Sequence, residues 1–381
     1  EQAAPATESV GPAPLMPELD AAGAVEAPIE EDEDAQAADS ESAPAEDAVP
    51  TEETEPQALA AVGGGGDASP DQLGIGSRIT VTDAVADVPF SGSFGQAIAI
   101  DVPPFHGIEP HLSLVYGSGG GLNLSVRSAG LDAGWLGVGW QLQGIPEVVR
   151  GSRVNGAPSF NSTDVYVLGG EELVACGSGI DSPSCSTGGT HTTRVESFLK
   201  IVRDATANTW AVYAKDGTRS IYKPLSNWGT TVPSGDSNPD LLRNQYRWLL
   251  WQVIDTHNNT VTYSYTCLTL PVCTPSTISY NGIQIDFVTK ASPSPITRGT
   301  GRNVAVLDRL LDRIAISVSG AKLRAYKLAY ETSTATGLQR LTSVKQFGTD
   351  WVADGSGNLT GTSLPPTTAA YTNATLGFSK V

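Results

Sequence analysis

The chain has 381 residues and a formal net charge of −18, a length that suits one large or two medium domains. Residues 1–72 hold 19 acidic and no basic residues, so 41 − 19 = 22 acidic and 23 basic residues remain, a balance of +1. A near-neutral remainder without a basic run argues against nucleic acid, whose phosphates require clustered cations. We also expect no cofactor.

The acidic leader is rich in Ala, Pro, Glu and Asp and lacks aromatic residues. Such a composition buries too little apolar surface to offset the entropy of ordering, so residues 1–75 are predicted to be a disordered leader with a glycine linker. A dedicated binding tail is the alternative. Residues 76–381 are then expected to form one β-rich domain, with a sub-boundary near 176–195.

Hydropathy and the amino terminus bear on localisation. No run of 18 apolar residues occurs, so we expect no transmembrane segment. No signal peptide is visible, and a chain beginning at Glu1 is consistent with a secreted protein whose signal has been removed. The expected location is extracellular, with the cell surface as an alternative.

Four cysteines form two close pairs in sequence, Cys176 with Cys185 and Cys267 with Cys273. Each pair brackets a turn-rich loop, which favours two local disulfides in an oxidising compartment. A four-cysteine zinc site is disfavoured because neither pair has C-x-x-C spacing. Free thiols are the third alternative.

Alternating apolar residues begin near residue 98. Ile98 and Ile100 alternate with small residues, as do Leu112 and Leu114, which predicts two strands with one buried face. Pro103-Pro104 separates them, because proline has no N–H to donate to a ladder. We predict that the four apolar side chains are part of the core.

Turn signals continue the β pattern through the rest of the chain. Four segments are predicted hairpins: Thr209–Pro224 around Asp216-Gly217, Arg247–Thr266 around Asn258-Asn259, Ile278–Phe287 around Asn281-Gly282, and Arg313–Glu331 around Ser319-Gly320. Asp-Gly and Asn-Gly favour type I′ turns. One short helix is expected near Asn238 or Asp240. The predicted fold class is all-β, with antiparallel hairpins forming a large β-sandwich or shell-like domain.

The stretch Ala133–Gly156 contains Trp135 and Trp140 among closely spaced glycines. Glycine lets neighbouring backbones approach closely, and the accompanying Leu and Val residues favour burial of both indoles. A sugar-stacking platform is the functional alternative.

No catalytic or metal-binding set is predicted. His106, His111 and His257 have no evident third partner at metal-ligand spacing. A serine–histidine–acid triad has no fixed spacing, but no G-x-S-x-G elbow occurs. Six aspartates were considered as paired carboxylates, and most are expected in turns or at strand ends: Asp204, Asp216, Asp255, Asp286, Asp308 and Asp312.

Five motifs follow one another along the chain: "FGQAIAIDVPP", "PHLSLVYGSG", "GWLGVGWQL", "DVYVLGGEELV" and the hairpin "YRWLLWQVIDTHNNTVTYSY". Together they give the chain a resemblance to the opening domain of the Salmonella virulence plasmid B protein family. A closing "LPPTTAAYT" extends it over about residues 88–373. Asn258-Asn259 replaces the usual Gly-Asn of the family's hairpin. The same domain begins B subunits of insecticidal toxin complexes and many Rhs-type secreted proteins.

This resemblance implies a non-catalytic structural module of a secreted toxin-complex or Rhs-like virulence protein. Its expected partners are other toxin-complex or Rhs-type shell segments or subunits, with contact to a host surface as a further expectation. A free-standing adhesion or glycan-binding module is the alternative. An ADP-ribosyltransferase-associated enzyme ranks third, because no transferase domain is recognised in the sequence.

Overall fold

A computed structural model describes residues 94–118, 134–153 and 156–371 of the chain. The predicted leader and linker, residues 1–75, lie outside the described residues, as do Gly119–Gly121. Within the described ranges the protein is almost entirely β, so the predicted all-β class is confirmed. None of the helices in these ranges is long and apolar enough to cross a lipid bilayer.

Twenty strands, two short α-helices and the 3-10 helix Leu225–Asn227 are present in the described ranges. The strands are β1 Gly95–Ile100, β2 Leu112–Gly117, β3 Trp140–Gln143, β4 Glu147–Gly151, β5 Val165–Leu168, β6 Glu171–Ala175, β7 His191–Thr193, β8 Lys200–Asp204, β9 Thr209–Tyr213, β10 Arg219–Pro224, β11 Arg247–Ile254, β12 Thr260–Thr269, β13 Val272–Tyr280, β14 Ile283–Gly299, β15 Val304–Val318, β16 Ala321–Thr332, β17 Gln339–Phe347, β18 Val352–Ala353, β19 Leu359–Thr360 and β20 Thr367–Thr368. The helices are α1 Pro183–Ser186 and α2 Pro239–Asn244.

Eight strands form a sheet that closes on itself. The order is β10-β9-β8-β7-β6-β5-β4-β11, and pairing between β10 and β11 completes the ring. Each pairing in it is antiparallel. We call these eight strands the closed sheet. Closure removes both sheet edges and encloses an interior filled by side chains.

A second group of strands continues from the closed sheet. The order is β11-β12-β13-β14-β15-β16-β17-β20, which we call the open sheet. Strand β11 belongs to both sheets: Arg247–Leu249 pair with β4, and Gln252–Ile254 pair with β12. The two sheets are therefore one hydrogen-bonded system.

The predicted first two strands pair with each other and pack on the open sheet. Ile98 lies opposite Leu114 and Ile100 opposite Leu112. The Asp101 N–H donates to the Tyr326 hydroxyl at 3.0 Å, and the Tyr280 hydroxyl donates to the Pro103 carbonyl at 2.8 Å. The double proline thus ends β1 where the chain contacts the open sheet.

The turns follow two geometries. Asn281-Gly282 and Ser319-Gly320 have positive φ at both residues, as a type I′ turn requires. The predicted type I′ turn at Asp216-Gly217 is wrong, because only Gly217 has positive φ. There the Ala214 N–H donates to the Thr218 carbonyl, which encloses a three-residue loop with its left-handed residue last.

The Asn258 turn has the same three-residue form. Asp255 N–H donates to the Asn259 carbonyl at 3.1 Å, and Asn258 has φ +66°. The Asp255 carboxylate accepts the N–H groups of His257 and Asn259. Asparagine tolerates the left-handed region better than most residues, which explains how Asn258 replaces the family's glycine.

The predicted helix is present but brief. It covers Pro239–Asn244 with Asn238 at the N-cap, and β11 begins at Arg247. The Trp248 arm is therefore strand, because its side chains fill the core between neighbouring strands.

Candidate functional site

The interior of the closed sheet is a packed core. Register places Ile201, Val212 and Ser220 in one inward-facing row, and Trp210, Tyr222 and Leu250 in the next. Five of these six side chains are apolar or aromatic and at most 2% exposed. Burial of a single Leu or Ile contributes about 1.5–3 kcal/mol, so this interior stabilises the fold.

One end of that interior is aromatic and polar. The rings of His191, Tyr166 and Trp210 contact one another edge-to-face or tilted, with ring centroids 4.8 Å apart for His191–Trp210 and 5.0 Å for Tyr166–Trp210. The Arg203 guanidinium lies 4.8 Å from the Tyr166 ring centroid. Trp248 closes the group and donates its indole N–H to the Asn208 carbonyl at 3.1 Å.

His191 is kept neutral by this environment. His191 is only 9% exposed, and its Nδ1 lies 2.9 Å from the Thr190 hydroxyl. Burial, followed by the positive charge of Arg203, lowers the pKa of His191 from 6.5 to about 4. A neutral imidazole enclosed by aromatic rings is a core group rather than an exposed base.

Two buried arginines tie strands of the closed sheet to the loops around it. Arg247 is 1% exposed, contacts Glu147 on β4 and donates to the Pro271 carbonyl at 2.7 Å. Arg150 pairs with Asp164 at 2.8 Å. Removing one member of a buried pair leaves an uncompensated charge, which is strongly destabilising.

Asp312 organises a similar group on the open sheet. It is 5% exposed and accepts from Lys327, while Arg313 and Lys290 lie 3.3 and 3.6 Å away. Lys327 also donates to the Gly357 carbonyl at 2.8 Å. Asp312 therefore fastens the β18–β19 hairpin to the sheet.

The six aspartates considered in the sequence are spread over separate elements. Asp204 lies at the end of β8 and Asp216 and Asp255 lie in turns, and each accepts N–H groups of the turn beside it. Asp286, Asp308 and Asp312 lie instead within strands β14 and β15. They do not converge on one cleft.

Both cysteine pairs stand at disulfide distance. The Cα atoms are 5.6 Å apart for Cys176–Cys185 and 4.3 Å for Cys267–Cys273. The Cys176–Cys185 pair closes the loop that contains Ser182 and Ser184. The hydroxyls of these two serines donate to the Glu196 carboxylate. Burial favours a higher pKa for Glu196, but hydrogen bonds from those two hydroxyls and the Phe198 N–H outweigh it and lower the pKa to about 2.

The predicted core residues lie together in one cluster. Exposed fractions are 4% for Trp135, 2% for Trp140, and 3% or less for Ile100, Leu112 and Leu114. Ile98 is only partly buried and packs against the rim of the cluster, less enclosed than the alternation predicts.

The two predicted indoles are held by the open sheet. Trp140 donates its indole N–H to the Tyr371 hydroxyl at 2.8 Å. Gly137 has φ +85°, and a Cβ there would lie 3.0 Å from the Gln339 carbonyl oxygen on β17. Because glycine has no side chain, the segment that carries the two tryptophans packs closely against the backbone of β17. Both indoles are buried, so neither offers an exposed face to a sugar.

The predicted histidines lie in separate places. His106 is exposed in a turn with φ +56°, His257 is exposed at its hairpin tip, and His111 is half-buried beside β2. Over the described ranges, no three His, Cys, Asp or Glu residues converge closely enough to hold a metal ion.

Sequence reasoning missed His191 and Arg203. Both lie in strands too short, or too polar, to show a clear alternation, and their proximity arises from pairing between β7 and β8. A weak signal existed, since His191 and Thr193 alternate with Thr192 in "HTTRV".

The open sheet ends on a strand without a further neighbour. Among the described residues, β20 pairs with β17 on one side only. Ala369 N–H donates to the Thr342 carbonyl at 2.9 Å, and Thr368 lies opposite Ser343. In this register the N–H of Thr368 points away from β17, so it is available to an added strand.

Comparison with known proteins shows which family these features resemble. Residues 88–269 match the family model described as SpvB, Salmonella virulence plasmid 65kDa B protein. No match was found among curated protein sequences. The family match ends before residue 373, the limit of the motif resemblance.

Solved structures share the fold. The crystal structure of TcdB2-TccC3-TEV has a TM-score of 0.53 at 16% identity, and the Photorhabdus luminescens Tc holotoxin pore with TccC3-D651A has 0.51 at 15%. They cover 78% and 76% of this chain, which spans only 16% of either matched chain. The N-terminal domain of effector protein SpvB from Salmonella typhimurium strain LT2 has a TM-score of 0.47 at 16% identity, covering 66% of this chain and 98% of that one.

The family match and the two folds with TM-scores above 0.5 agree with the motifs in Phe94–Pro104, Gly134–Leu142 and Asp164–Val174. The predicted resemblance to the Salmonella virulence plasmid B protein family is therefore confirmed, over residues 88–269 of this chain.

Proposed function

We propose that this chain is a non-catalytic structural module of a secreted bacterial toxin-complex or Rhs-like virulence protein, and that it contributes to a β-sheet shell or translocation assembly. The observation that carries the proposal is the open sheet, a continuous antiparallel sheet whose last strand, β20, has no second neighbour among residues 94–118, 134–153 and 156–371. An unpaired edge is a template for another strand.

The placement of charged and titratable groups supports a structural role. Buried ion pairs of Arg247 and Asp312 join neighbouring strands, and that of Arg150 joins a strand to a loop. His191 is held neutral inside the closed sheet. These groups stabilise connections between elements.

The proposed partners are further shell segments or subunits that extend the open sheet at β20. The likeness to TcdB2-TccC3 and to the Tc holotoxin supports this proposal, because the chain aligns with one part of much longer chains. The same likeness supports an extracellular location. Two disulfide-bonded loops also favour it, because disulfides persist in oxidising compartments.

The edge strand offers a sharp test. Thr368→Pro removes an N–H that faces away from β17, so the sheet itself keeps its hydrogen bonds while an added strand loses one. Thr368→Val retains that N–H and is the matched control. The chain is co-expressed with neighbouring segments or subunits of its parent system, and the mass of the complex is measured by light scattering.

We expect a stable complex for the native chain and for Thr368→Val, and a complex weakened at least tenfold for Thr368→Pro. Unchanged thermal melting of the variants shows that the module still folds. A native chain that stays alone with every such segment, or a purified chain that turns over a substrate unaided, contradicts the proposal.

A further inference from the structure

The outer surface of strands β8, β9 and β10 collects basic side chains that are far apart in sequence. Register places Lys200 on β8, Tyr213 on β9 and Arg219 on β10 in one row. Lys223 lies four residues after Arg219 on β10 and therefore on the same side. Their alternating neighbours Ile201, Val212, Ser220 and Tyr222 are buried inside the closed sheet. We call Lys200, Arg219 and Lys223, with the rings beneath them, the cationic face.

Aromatic rings hold two of these cations in place. The Lys223 ammonium lies 3.3 Å from the centroid of the Trp251 ring, and the Lys200 ammonium 5.6 Å from that of Tyr213. A cation held over a ring loses less conformational entropy when it meets an anion than a free side chain does. The rings thus pre-organise the cationic face.

These three cations have no acidic partners. In residues 94–118, 134–153 and 156–371, none of them lies within ion-pair distance of a carboxylate, and the Nε of Arg219 is buried without a hydrogen-bond acceptor. The nearby acids are engaged by other groups. Asp204, at the end of β8, and Asp216, in the β9–β10 turn, accept backbone N–H groups, and Glu196 accepts from two serine hydroxyls and the Phe198 N–H. By contrast, Arg150 and Arg247 are both paired. The cationic face therefore has unmatched positive charge.

The spacing of the cations favours an extended ligand. Lys200 and Arg219 are two strand spacings apart, about 10 Å, and Arg219 and Lys223 are four residues apart along a strand, about 13 Å. One small anion contacts one cation at these distances. A linear polyanion contacts two or three.

The surroundings select the kind of polyanion. Bases of single-stranded nucleic acid need free aromatic faces to stack on, and the lysines cover one face of Trp251 and of Tyr213. A lipid surface needs a broad group of exposed large apolar side chains among the cations. None of the exposed ones that the structure describes lies on β8, β9, β10 or β11, and only Val195 and Phe198 directly precede β8. The outer face of the closed sheet, with its cations spaced along and across the strands, suits a linear glycan with charged groups along its length.

We propose that the cationic face binds an acidic polysaccharide through its sulfate or carboxylate groups. The proposal is independent of the structural role above, because the face lies on the closed sheet and the unpaired edge on β20 of the open sheet. Residues 73–381 have 22 acidic and 23 basic residues, a balance of only +1, so they exert little general attraction on polyanions. Any binding therefore reports a local surface.

The test uses the full chain and two probes, heparin and hyaluronate, which separate sulfate from carboxylate recognition. Affinity is measured by calorimetry at several salt concentrations. The variant carries Lys200→Gln, Arg219→Gln and Lys223→Gln. The matched control removes the same charge elsewhere, by Arg243→Gln, Arg309→Gln and Lys345→Gln, and circular dichroism shows that both are folded.

We expect the native chain to bind at least one probe and the site variant to bind it at least tenfold more weakly. The magnitude of the slope of log affinity against log salt is expected to be smaller by roughly 2 for the site variant, because fewer cation–anion contacts release fewer counterions on binding. The control is expected to change affinity less than twofold.

Three results overturn the proposal. The native chain fails to bind either probe at low salt; or the control variant loses as much affinity as the site variant; or a single-stranded oligonucleotide binds more tightly than the glycans, which assigns the face to nucleic acid instead.

Discussion

Protonation of His191 is expected to make stability depend on pH. The residue is 9% exposed, and burial with the charge of Arg203 lowers its folded-state pKa to about 4, against 6.5 when unfolded. Because the unfolded chain binds the proton first, stability is complete above pH 6.5 and falls as the pH drops toward 4. At about 1.4 kcal/mol per pKa unit, His191 removes about 2 kcal/mol at pH 5 and about 3 kcal/mol at pH 4.

The assay compares urea unfolding at pH 7.5, 5 and 4 for the native chain and for His191→Gln. Carboxylates contribute equally to both, so the difference between the two curves isolates this imidazole. His257→Gln, an exposed site, is the control. Equal pH dependence in the native and His191→Gln proteins refutes the reasoning. If His191→Gln does not fold, the chemical shift of the His191 ring followed through the same pH range gives its pKa directly.

Three further results are expected. Trp140→Ala should lower the free energy of unfolding by about 3–5 kcal/mol, and an unchanged melting temperature would place this indole at the surface. Each disulfide should appear as an intramolecular linked peptide in mass spectrometry of non-reduced protein and contribute about 2–3 kcal/mol; four free thiols in secreted material would exclude them. Asn258→Gly should leave stability unchanged or higher while Asn258→Val lowers it by about 1–2 kcal/mol, since the turn needs positive φ, and equal melting of the two would contradict that geometry.

Local patterns explain what the sequence could predict. The alternation at Ile98 and Ile100 reports its own strand, because a period of two depends only on neighbouring residues. The two-residue turns at Asn281-Gly282 and Ser319-Gly320 are similarly local. The Asp216-Gly217 turn failed because the same dipeptide also suits a three-residue loop, and the choice depends on the register of the strands it joins.

Long-range pairing explains what the sequence could not predict. Closure of the sheet depends on β10 meeting β11 across the segment that contains α2, and no local signal encodes it. The register of β7, β8, β9 and β10 brings His191 close to Trp210 and places Lys200 in the same row as Arg219. A chain whose folded part has near-zero net charge therefore acquires a concentrated positive surface only after its strands are in register.

Strand β11 has a mechanical consequence. Its first half is bonded to one neighbour and its second half to another, so a force pulling β12 away is transmitted along eight residues into the ring behind it. A load on the strands at the end of the open sheet would be shared with the closed sheet, so these strands would not detach one at a time. Because they share β11, the open sheet and the closed sheet are expected to resist shear together when neighbouring parts move.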